Sequence, residues 1–464
     1  MAPALRSWFL LTLAVTACEF PRPPDVADDA AGSPSDAAGA DAALADAAIA
    51  DAPPDAPDVA GTVLHVSTTG DDANDGLTQP VKTLKHAIGL AAANPLLVKI
   101  VVATGRYSSA SGETFPYTVP TNLVIVGPAG GGAIFAGTKS EPGLTVGTGT
   151  LQDVELEDFT VAITATGTAR VANTRIRTSM VGIRGETTAK LTVDNLDITG
   201  AVGACASGIV LTGAAGLTAT MLATRGLAAA IDARDQSTVT VANANITGVL
   251  GCRDSVGNLQ SAITGNTTKP FVLTDSLLDG GETGLFLAAA PTVVSNTIIR
   301  NMRGDAIGGG SGGLQMTGGE LSGCNAGAEG GVASDSYTNV VFNNNGISIY
   351  WYGTGSHKLV MRGCNVRATG AGSSAISLWM ENSSAADFGT LASPGNNIFQ
   401  ANDGINLLIV GGTAAPIDAV GNTWKPVQGA NSQGRYPAGT TIHGPVNNVQ
   451  GNNFAIGEGG ALNL

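Results

Sequence analysis

The sequence contains few charged and few aromatic residues. Charged residues make up 13% of the 464 residues, about half of ordinary usage, and aromatic residues make up 5%. The 23 lysines and arginines are outnumbered by 37 aspartates and glutamates, and they form no basic stripe. Because a protein that binds nucleic acid needs such a stripe to contact phosphates, nucleic acid is not a predicted partner.

Long apolar segments are also scarce. Arg6 precedes the ten-residue apolar stretch Trp8–Ala17, which is too short to span a bilayer, and no other segment is apolar enough to do so. This order of charge and apolar residues predicts a secretory signal over residues 1–17. Its end, Val15-Thr16-Ala17-Cys18, resembles the bacterial lipoprotein signal. The resemblance implies a lipid on Cys18, and the alternative is an ordinary signal with a chance cysteine.

The lipoprotein resemblance implies an exported chain whose partner is a bacterial membrane, and we predict the outer membrane or cell surface. Residues 18–60 are mainly Ala, Asp and Pro, and residues 19–60 carry −9 of the net charge of −14. Such a segment cannot bury enough apolar surface to fold, and its like charges keep it extended. We therefore predict a disordered tether over residues 18–60 and a folded domain over residues 61–464.

Glycine is abundant, at 64 residues or about twice average usage. Beyond residue 180, a small residue followed by an aliphatic one recurs at a spacing of nearly 25 residues. The ten pairs are Gly182-Ile183, Gly208-Ile209, Ala230-Ile231, Ala262-Ile263, Gly284-Leu285, Ala306-Ile307, Gly331-Val332, Gly346-Ile347, Ala375-Ile376 and Gly404-Ile405. A repeat of this size is typical of one supersecondary unit per repeat, stacked so that neighbours share a core.

The repeating unit is predicted to consist of strands. Each pair opens a short alternating run such as Ile347–Tyr350, and a period of two indicates a half-buried strand. An earlier strand in many repeats ends in Asn-x-x-aliphatic, at Asn173, Asn195, Asn243 and Asn296, and asparagine suits bends because it tolerates positive φ. No helical period intervenes. The pattern predicts an all-β, single-stranded right-handed parallel β-helix of roughly ten rungs, and the alternative is a β-sandwich.

The start and the tail of the folded part resemble a known family. The matching segments are Leu64–Ala93, Gly105–Tyr107, Gly112–Pro116, Leu123–Gly127, Asp387–Thr390, Pro394–Asn397 and Gly421–Trp424. They resemble bacterial pectin-lyase-like β-helix proteins that begin with a domain of unknown function. The resemblance implies the β-helix fold, with an N-terminal region over residues 61–135, coils over 150–410 and a C-terminal cap over 411–464. Lys82–Ala93 is predicted to be an amphipathic helix that closes the open end of the solenoid.

Enzymes of the pectin-lyase-like group act on acidic polysaccharides, and the resemblance raises two catalytic hypotheses. Their hydrolases carry paired aspartates and a Gly-His-Gly motif, and this chain contains no Gly-His-Gly. Their lyases combine calcium-binding carboxylates with an Arg or Lys base, and Asp232, Arg234 and Asp235 are the best candidates for such a group. The alternative is that these are ordinary surface charges. No motif requires a cofactor, and calcium is the one candidate.

The N-terminal loop and the cysteines suggest two further kinds of site. Oxygen ligands for calcium are available from Asp71, Asp72, Asn74 and Asp75, although such a loop more often only supplies turns. Four cysteines occur in two look-alike pairs, and we favour disulfides between the members of each pair because an exported protein permits oxidation. The favoured pairings are Cys205 with Cys252 and Cys324 with Cys364, and the alternative is four buried thiols.

Aromatic residues give the strongest indication of a binding surface. Aligning the repeats places Tyr350 and Trp379 at the same outward position on adjacent rungs, with Tyr352 and Glu381 beside them. Such a ladder can stack sugar rings on aromatic faces, although a covering loop would make it a local core instead. We predict a surface protein that binds polysaccharide or acts as a scaffold. The alternatives are a calcium-assisted polysaccharide lyase and a protein-binding adhesin or rod, and nothing predicts the oligomeric state.

Overall fold

The computed structural model describes most of the chain beyond residue 62. The described residues are 63–201, 203–249, 252, 261–309, 312–353, 357–368, 376–381, 385–401, 405–410, 417–424, 441–443 and 461–463. The predicted signal, the predicted lipidation site Cys18 and the predicted tether lie outside them. No helix in the described part is long and apolar enough to cross a membrane.

Each coil of the described chain contributes strands to two parallel sheets. The first sheet has 28 strands, and within it the chain of most coils turns at a bend that divides the sheet into two parts. The strands that precede the bend are Val63–Val66, Lys99–Val102, Leu123–Val126, Gly149–Gln152, Thr238–Ala242, Phe271–Thr274, Thr292–Ser295, Leu314–Thr317, Asp335–Thr338, Lys358–Arg362, Ala385–Asp387, Ile417–Asp418, Thr441–His443 and Ala461–Asn463. The part that follows the bend contains Gly105–Ser108, Ala133–Ala136, Val154–Glu157, Asn245–Thr247, Leu277–Gly281, Ile298–Met302, Glu320–Ser322, Val341–Asn343, Asn365–Ala368, Ile398–Ala401 and Thr423–Trp424. Three long strands run through both parts: Thr168–Arg177, Lys190–Thr199 and Gly216–Arg225.

The second sheet has 13 strands in the described residues, one for each coil. They are Tyr117–Val119, Leu144–Val146, Val161–Ala165, Val181–Gly185, Ser207–Leu211, Ala229–Asp235, Ser261–Thr267, Thr283–Leu287, Asp305–Gly309, Ala326–Gly330, Ile347–Trp351, Ile376–Glu381 and Ile405–Val410. The predicted parallel β-helix is therefore confirmed, with about 13 coils rather than ten. Coils already form before residue 135, because this N-terminal region contributes strands to both sheets.

Left-handed residues turn the chain between the two parts of the 28-stranded sheet. The four asparagines predicted at bends all have positive φ: Asn173 (46°), Asn195 (53°), Asn243 (55°) and Asn296 (47°). Amides on neighbouring coils also bond to each other, since Asn195 Nδ2 donates to Asn173 Oδ1 at 3.0 Å. Asparagine therefore serves here both as a residue that accepts left-handed backbone and as a link between coils.

The core is a column of aliphatic side chains stacked coil upon coil. Ile183, Ile209, Ile231 and Ile263 follow one another in register on the 13-stranded sheet, and each is fully buried. Burying such a side chain contributes about 1.5–3 kcal/mol, so the column is a main source of stability.

Four of the ten predicted pairs do not follow the register of this column. Beyond Ile307 the column continues through Ala328, Ile349 and Leu378. Gly331-Val332 therefore lies after its strand, and buried serines, Ser348 and Ser377, take the small position in the next two coils. The predicted pairs that begin at residues 346, 375 and 404 lie two positions away from the column.

Helix α1 (Leu84–Ala93) covers the N-terminal end of the solenoid, and a 3₁₀ turn follows at Ser109–Ser111. The helix packs on Val63–Val66 and Tyr117–Val119, the first strands of the two sheets. Its N-cap is Thr83, whose hydroxyl accepts His86 N–H at 3.1 Å, so the helix begins two residues later than predicted. Buried Glu113 accepts Leu84 N–H at 2.7 Å, and burial raises the pKa of this carboxyl. The predicted closing helix is confirmed.

Candidate functional site

One line of outward side chains runs along the 13-stranded sheet. Strand register places one residue from each of seven successive coils in this line: Asp232, Thr264, Phe286, Gly308, Glu329, Tyr350 and Trp379. We call these seven residues the outer strip. At about 4.8 Å per rung the strip is about 29 Å long. It is therefore long enough to contact several rings of a linear polymer.

The predicted aromatic ladder forms one end of the outer strip. The rings of Tyr350 and Trp379 meet edge to face with centroids 5.4 Å apart, and Tyr352 lies 5.7 Å from Tyr350. All three side chains are partly exposed, while Ile349 and Leu378 beside them are buried. The two rings therefore share one position on adjacent coils, as the alignment of the repeats indicated, and their role in ligand binding stays a prediction.

Polar groups accompany the rings. The Tyr350 hydroxyl is hydrogen-bonded to Glu381, and burial together with that carboxylate raises the pKa of Tyr350 well above its usual range. The indole Nε1 of Trp379 is buried and has no hydrogen-bond partner among the described residues. Glu381 therefore lies with the rings as predicted, and Trp379 retains an unused donor.

Two carboxyl groups beside the aromatic end were not included in the predicted site. Asp305 and Glu329 lie on adjacent coils and are hydrogen-bonded to each other. Burial raises the pKa of Asp305 well above its usual range, and the bond to Glu329 and the charges of Glu329 and Glu282 add to the effect. Asp305 therefore retains a proton at a pH where an exposed aspartate has lost it. Its carboxyl lies 3.3 Å from the point where a Cβ on Gly308 would be.

The three residues of the lyase hypothesis are only partly brought together. Arg234 Nε donates to Asp232 Oδ2 at 3.0 Å, so these two side chains form an ion pair at the far end of the outer strip. Asp235 has a φ of 59°, and its Oδ2 accepts Gly213 N–H at 2.9 Å. Its carboxylate thus stabilises a neighbouring turn. The structure pairs Asp232 with Arg234 and directs one oxygen of Asp235 to this turn, and the catalytic role of all three residues stays a prediction.

The carboxylates of the N-terminal loop bond to nearby backbone. Asp72 accepts Lys82 N–H at 2.8 Å and Thr83 N–H at 2.9 Å, and Asp75 accepts Leu77 N–H at 2.9 Å. Asp71 Oδ1 accepts Ala73 N–H, and Asn74 Nδ2 donates to the Pro80 carbonyl. Across the described part of the chain, no three His, Cys, Asp or Glu side chains are grouped as metal ligands. The loop geometry thus fits turn formation, and calcium binding there stays a prediction.

The structure joins one of the two predicted cysteine pairs. Cys205 and Cys252 form a disulfide with Cα atoms 5.8 Å apart. Cys324 and Cys364 are free and buried, so the second predicted pairing is wrong. The register explains the difference: Cys324 follows Ser322, which pairs with Asn343, whereas Cys364 follows Arg362, which pairs with Thr338. The two Gly-Cys-Asn segments therefore occupy different corners of the coil, one before and one after the strand that follows the bend.

Stacked coils of three parallel strands, with one closing helix in the described residues, define a parallel β-helix. The chain belongs to the family described as a protein of unknown function, DUF1565, which matches residues 68–429. No curated protein is significantly similar to it in sequence.

Solved structures resemble the chain at the level of fold. The A-module of the Azotobacter vinelandii mannuronan C-5 epimerase AlgE4 has 11% identity and a TM-score of 0.34, with 74% of this chain and 91% of that one covered. The catalytic domain of a GH87 α-1,3-glucanase in complex with tetrasaccharides has 14% identity and a TM-score of 0.36, with 89% and 71% covered. The Dettilon tailspike protein has 13% identity and a TM-score of 0.37, with 86% and 68% covered. Likenesses this distant concern the fold alone.

Proposed function

We propose that this protein binds polysaccharide along the outer strip. The supporting observation is the cluster of partly exposed Tyr350, Tyr352 and Trp379, which lies on adjacent coils beside carboxyl groups. Aromatic rings stack on the apolar faces of sugars, and carboxylates accept bonds from sugar hydroxyls. The linear arrangement favours a polymer that runs along the solenoid axis.

Binding is tested with the purified protein by affinity electrophoresis against a panel of neutral and acidic polysaccharides. We expect at least one polymer to retard the protein, and Tyr350→Ala and Trp379→Ala each to weaken that binding about tenfold, equal to ~1.4 kcal/mol. Val293→Ala, at a 44% exposed position of the 28-stranded sheet, is the matched control and should bind normally. Retardation by no polymer, or equal retardation of all variants, would contradict the proposal.

Cleavage of the bound polymer is a second candidate function. It is favoured by Asp305, which holds a proton beside Glu329 and so offers a general acid next to the strip. New reducing ends that disappear in Asp305→Asn would indicate hydrolysis. Unsaturated products that require calcium and are lost in Arg234→Gln would support the lyase hypothesis instead. Absence of both kinds of product would leave binding alone.

We also propose that the chain is exported and anchored through lipid on Cys18. The Val15-Thr16-Ala17-Cys18 segment and the acidic stretch after it are the basis of this proposal. Metabolic labelling with a fatty acid should label the protein and leave Cys18→Ala unlabelled. Equal labelling of both, or labelling of neither, would count against lipid attachment at this residue.

A further inference from the structure

An enlarged bend interrupts the regular turns of the 28-stranded sheet. In the coils that follow, a single left-handed residue makes the turn, as Asp153, Asn173 and Asn195 do. Between Leu123–Val126 and Ala133–Ala136 the same turn takes residues 127–132 and includes consecutive glycines with positive φ. The extra length lets this loop stand beside the outer surface of the next coils.

The loop forms one wall of a cavity of about 490 Å³. The facing wall carries Glu155, Arg175 and Asp197, which are neighbours in register on successive coils. Asn173 and Asn195 complete the lining at the bend. This volume lies within the range of small-molecule sites. The cavity belongs to the 28-stranded sheet and is separate from the outer strip.

Of the arginines at the cavity, Arg175 has no ion-pair partner among the described residues. Arg177 bonds to Glu155 at 3.1 Å and approaches Asp197 at 3.8 Å, while Arg225 lies 3.5 Å from Asp197. The side chain of Arg175 has no ion pair or hydrogen bond to any described residue, although its backbone pairs with both neighbouring strands. Its guanidinium lies against the loop, with Nη1 3.3 Å from the point where a Cβ on Gly131 would be. Because Glu155 and Asp197 already pair with other arginines, Arg175 is available to an anionic group of a ligand.

Polar donors and acceptors surround this cation. Asn195 Nδ2 donates to Asn173 Oδ1, which leaves the Asn173 amide nitrogen and the Asn195 oxygen for other partners. Asp197 Oδ1 is buried and lacks a donor among the described residues. Asp153 accepts one bond, from Gln152 Nε2 at 2.8 Å, and has further acceptor capacity. A mixture of single donors and acceptors is the pattern that hydroxyl groups satisfy.

We propose that this cavity binds a sugar acid. The carboxylate would pair with Arg175, and the hydroxyls would bond to Asn173, Asn195 and the neighbouring carboxylates. The ligand is either a free sugar acid or the end of an acidic polysaccharide, because both present the same group.

The test is isothermal titration of the protein with glucuronate, glucose and acetate. We expect glucuronate to bind, and glucose and acetate to bind at least tenfold more weakly, since each lacks one half of the recognised chemistry. Arg175→Gln should weaken glucuronate binding at least tenfold. Arg170→Gln is the matched control, because Arg170 lies on the same strand, outside the cavity, and pairs with Asp194. Trp379→Ala should have no effect, which separates this site from the outer strip.

Three results would overturn the proposal. The first is glucuronate binding that is unchanged in Arg175→Gln, and the second is no glucuronate binding by a folded protein. Acetate that binds as tightly as glucuronate would also overturn it, because the cavity would then recognise an anion and no sugar. Ala223→Met, which enlarges a side chain of the cavity lining while keeping Arg175, should weaken binding as well. Tighter binding of an oligouronate than of glucuronate would identify the polymer end as the ligand, and equal binding would identify the free acid.

Discussion

At the scale of single residues, Asp335 couples stability to pH. Its side chain is 2% exposed, its Oδ1 accepts Leu314 N–H at 2.8 Å, and burial raises its pKa from 3.8 to about 7. Because the folded-state pKa is the higher one, the stability tied to the protonated form is complete below pH 3.8 and is lost as the pH rises through about 7. At about 1.4 kcal/mol per pKa unit, the loss is about 4 kcal/mol.

We expect Asp335→Asn to remove this pH dependence, since an amide can keep the bond to Leu314 and does not ionise. The free energy of unfolding, measured in urea across this pH range, should fall with pH less steeply in the variant. Comparison with the unsubstituted protein cancels the contributions of all other carboxylates. Parallel curves for the two proteins would show that Asp335 does not titrate in this range.

The two free thiols give a second prediction. Burial raises the pKa of both Cys324 and Cys364 to about 11, so at neutral pH they are shielded thiols and not reactive thiolates. Iodoacetamide should leave both unmodified in the folded protein and modify both after unfolding without reductant. Peptide mapping should find Cys205 and Cys252 modified only after reduction. Modification of Cys324 in the folded protein would contradict its burial.

The sequence predicted the aromatic residues of the candidate site better than its carboxyl groups. Tyr350 and Trp379 occupy the same position of the repeat, so aligning the repeats brought them together. Asp305 and Glu329 occupy different positions on adjacent strands and meet only because their side chains converge outside the sheet. Spacing along the chain carries no information about such convergence, since it depends on side-chain direction and on the absence of a side chain at Gly308.

At the scale of structural elements, the bend between the two parts of a coil depends on residues that accept left-handed backbone. Asn195→Ala should lower the free energy of unfolding by about 1–2 kcal/mol, because alanine resists positive φ and the bond to Asn173 is lost. Asn195→Gly is the matched control: it keeps the backbone preference and loses only the bond. Urea unfolding should rank the glycine variant between the alanine variant and the unsubstituted protein. Equal loss in both variants would assign the whole effect to the amide bond.

The elements were predictable where the local signal was strong. Asparagine at a bend is favoured by its own backbone preference, so four bends could be located from sequence. The small–aliphatic pair is a weaker signal, because Gly331-Val332 fits it by chance while buried Ser348 and Ser377 do not fit it. The register of the last coils is set by contacts with neighbouring coils, and a pattern read along the chain does not contain those contacts.

At the scale of the whole molecule, each coil is stabilised by its contacts with the neighbouring coils. Ile231 is fully buried between Ile209 and Ile263, and Ile231→Ala should cost about 2–5 kcal/mol. Since each coil contacts mainly its neighbours, hydrogen exchange should rise most in these three coils and least near helix α1. Uniform acceleration along the chain would show that the solenoid unfolds as one cooperative unit.

The architecture followed from repeat length and strand period, which are properties of the whole sequence. The cavity could not be predicted from these properties, because it depends on the turn at residues 127–132, which is longer than the equivalent turns in later coils. A loop of glycine and proline in the sequence shows where a turn is but not which surface it covers.

The disulfide has a mechanical consequence. Cys205 and Cys252 lie in turns on either side of the coil that contains Ala229–Asp235, so one covalent link fastens three successive coils. A solenoid pulled from its ends peels coil by coil, and each freed coil lengthens the chain. The disulfide prevents the chain between its two cysteines, a separation of 47 residues, from extending. Fully extended, that segment would be about 160 Å long. Under tension, the solenoid of an oxidised molecule therefore extends less and is stiffer than that of a reduced one.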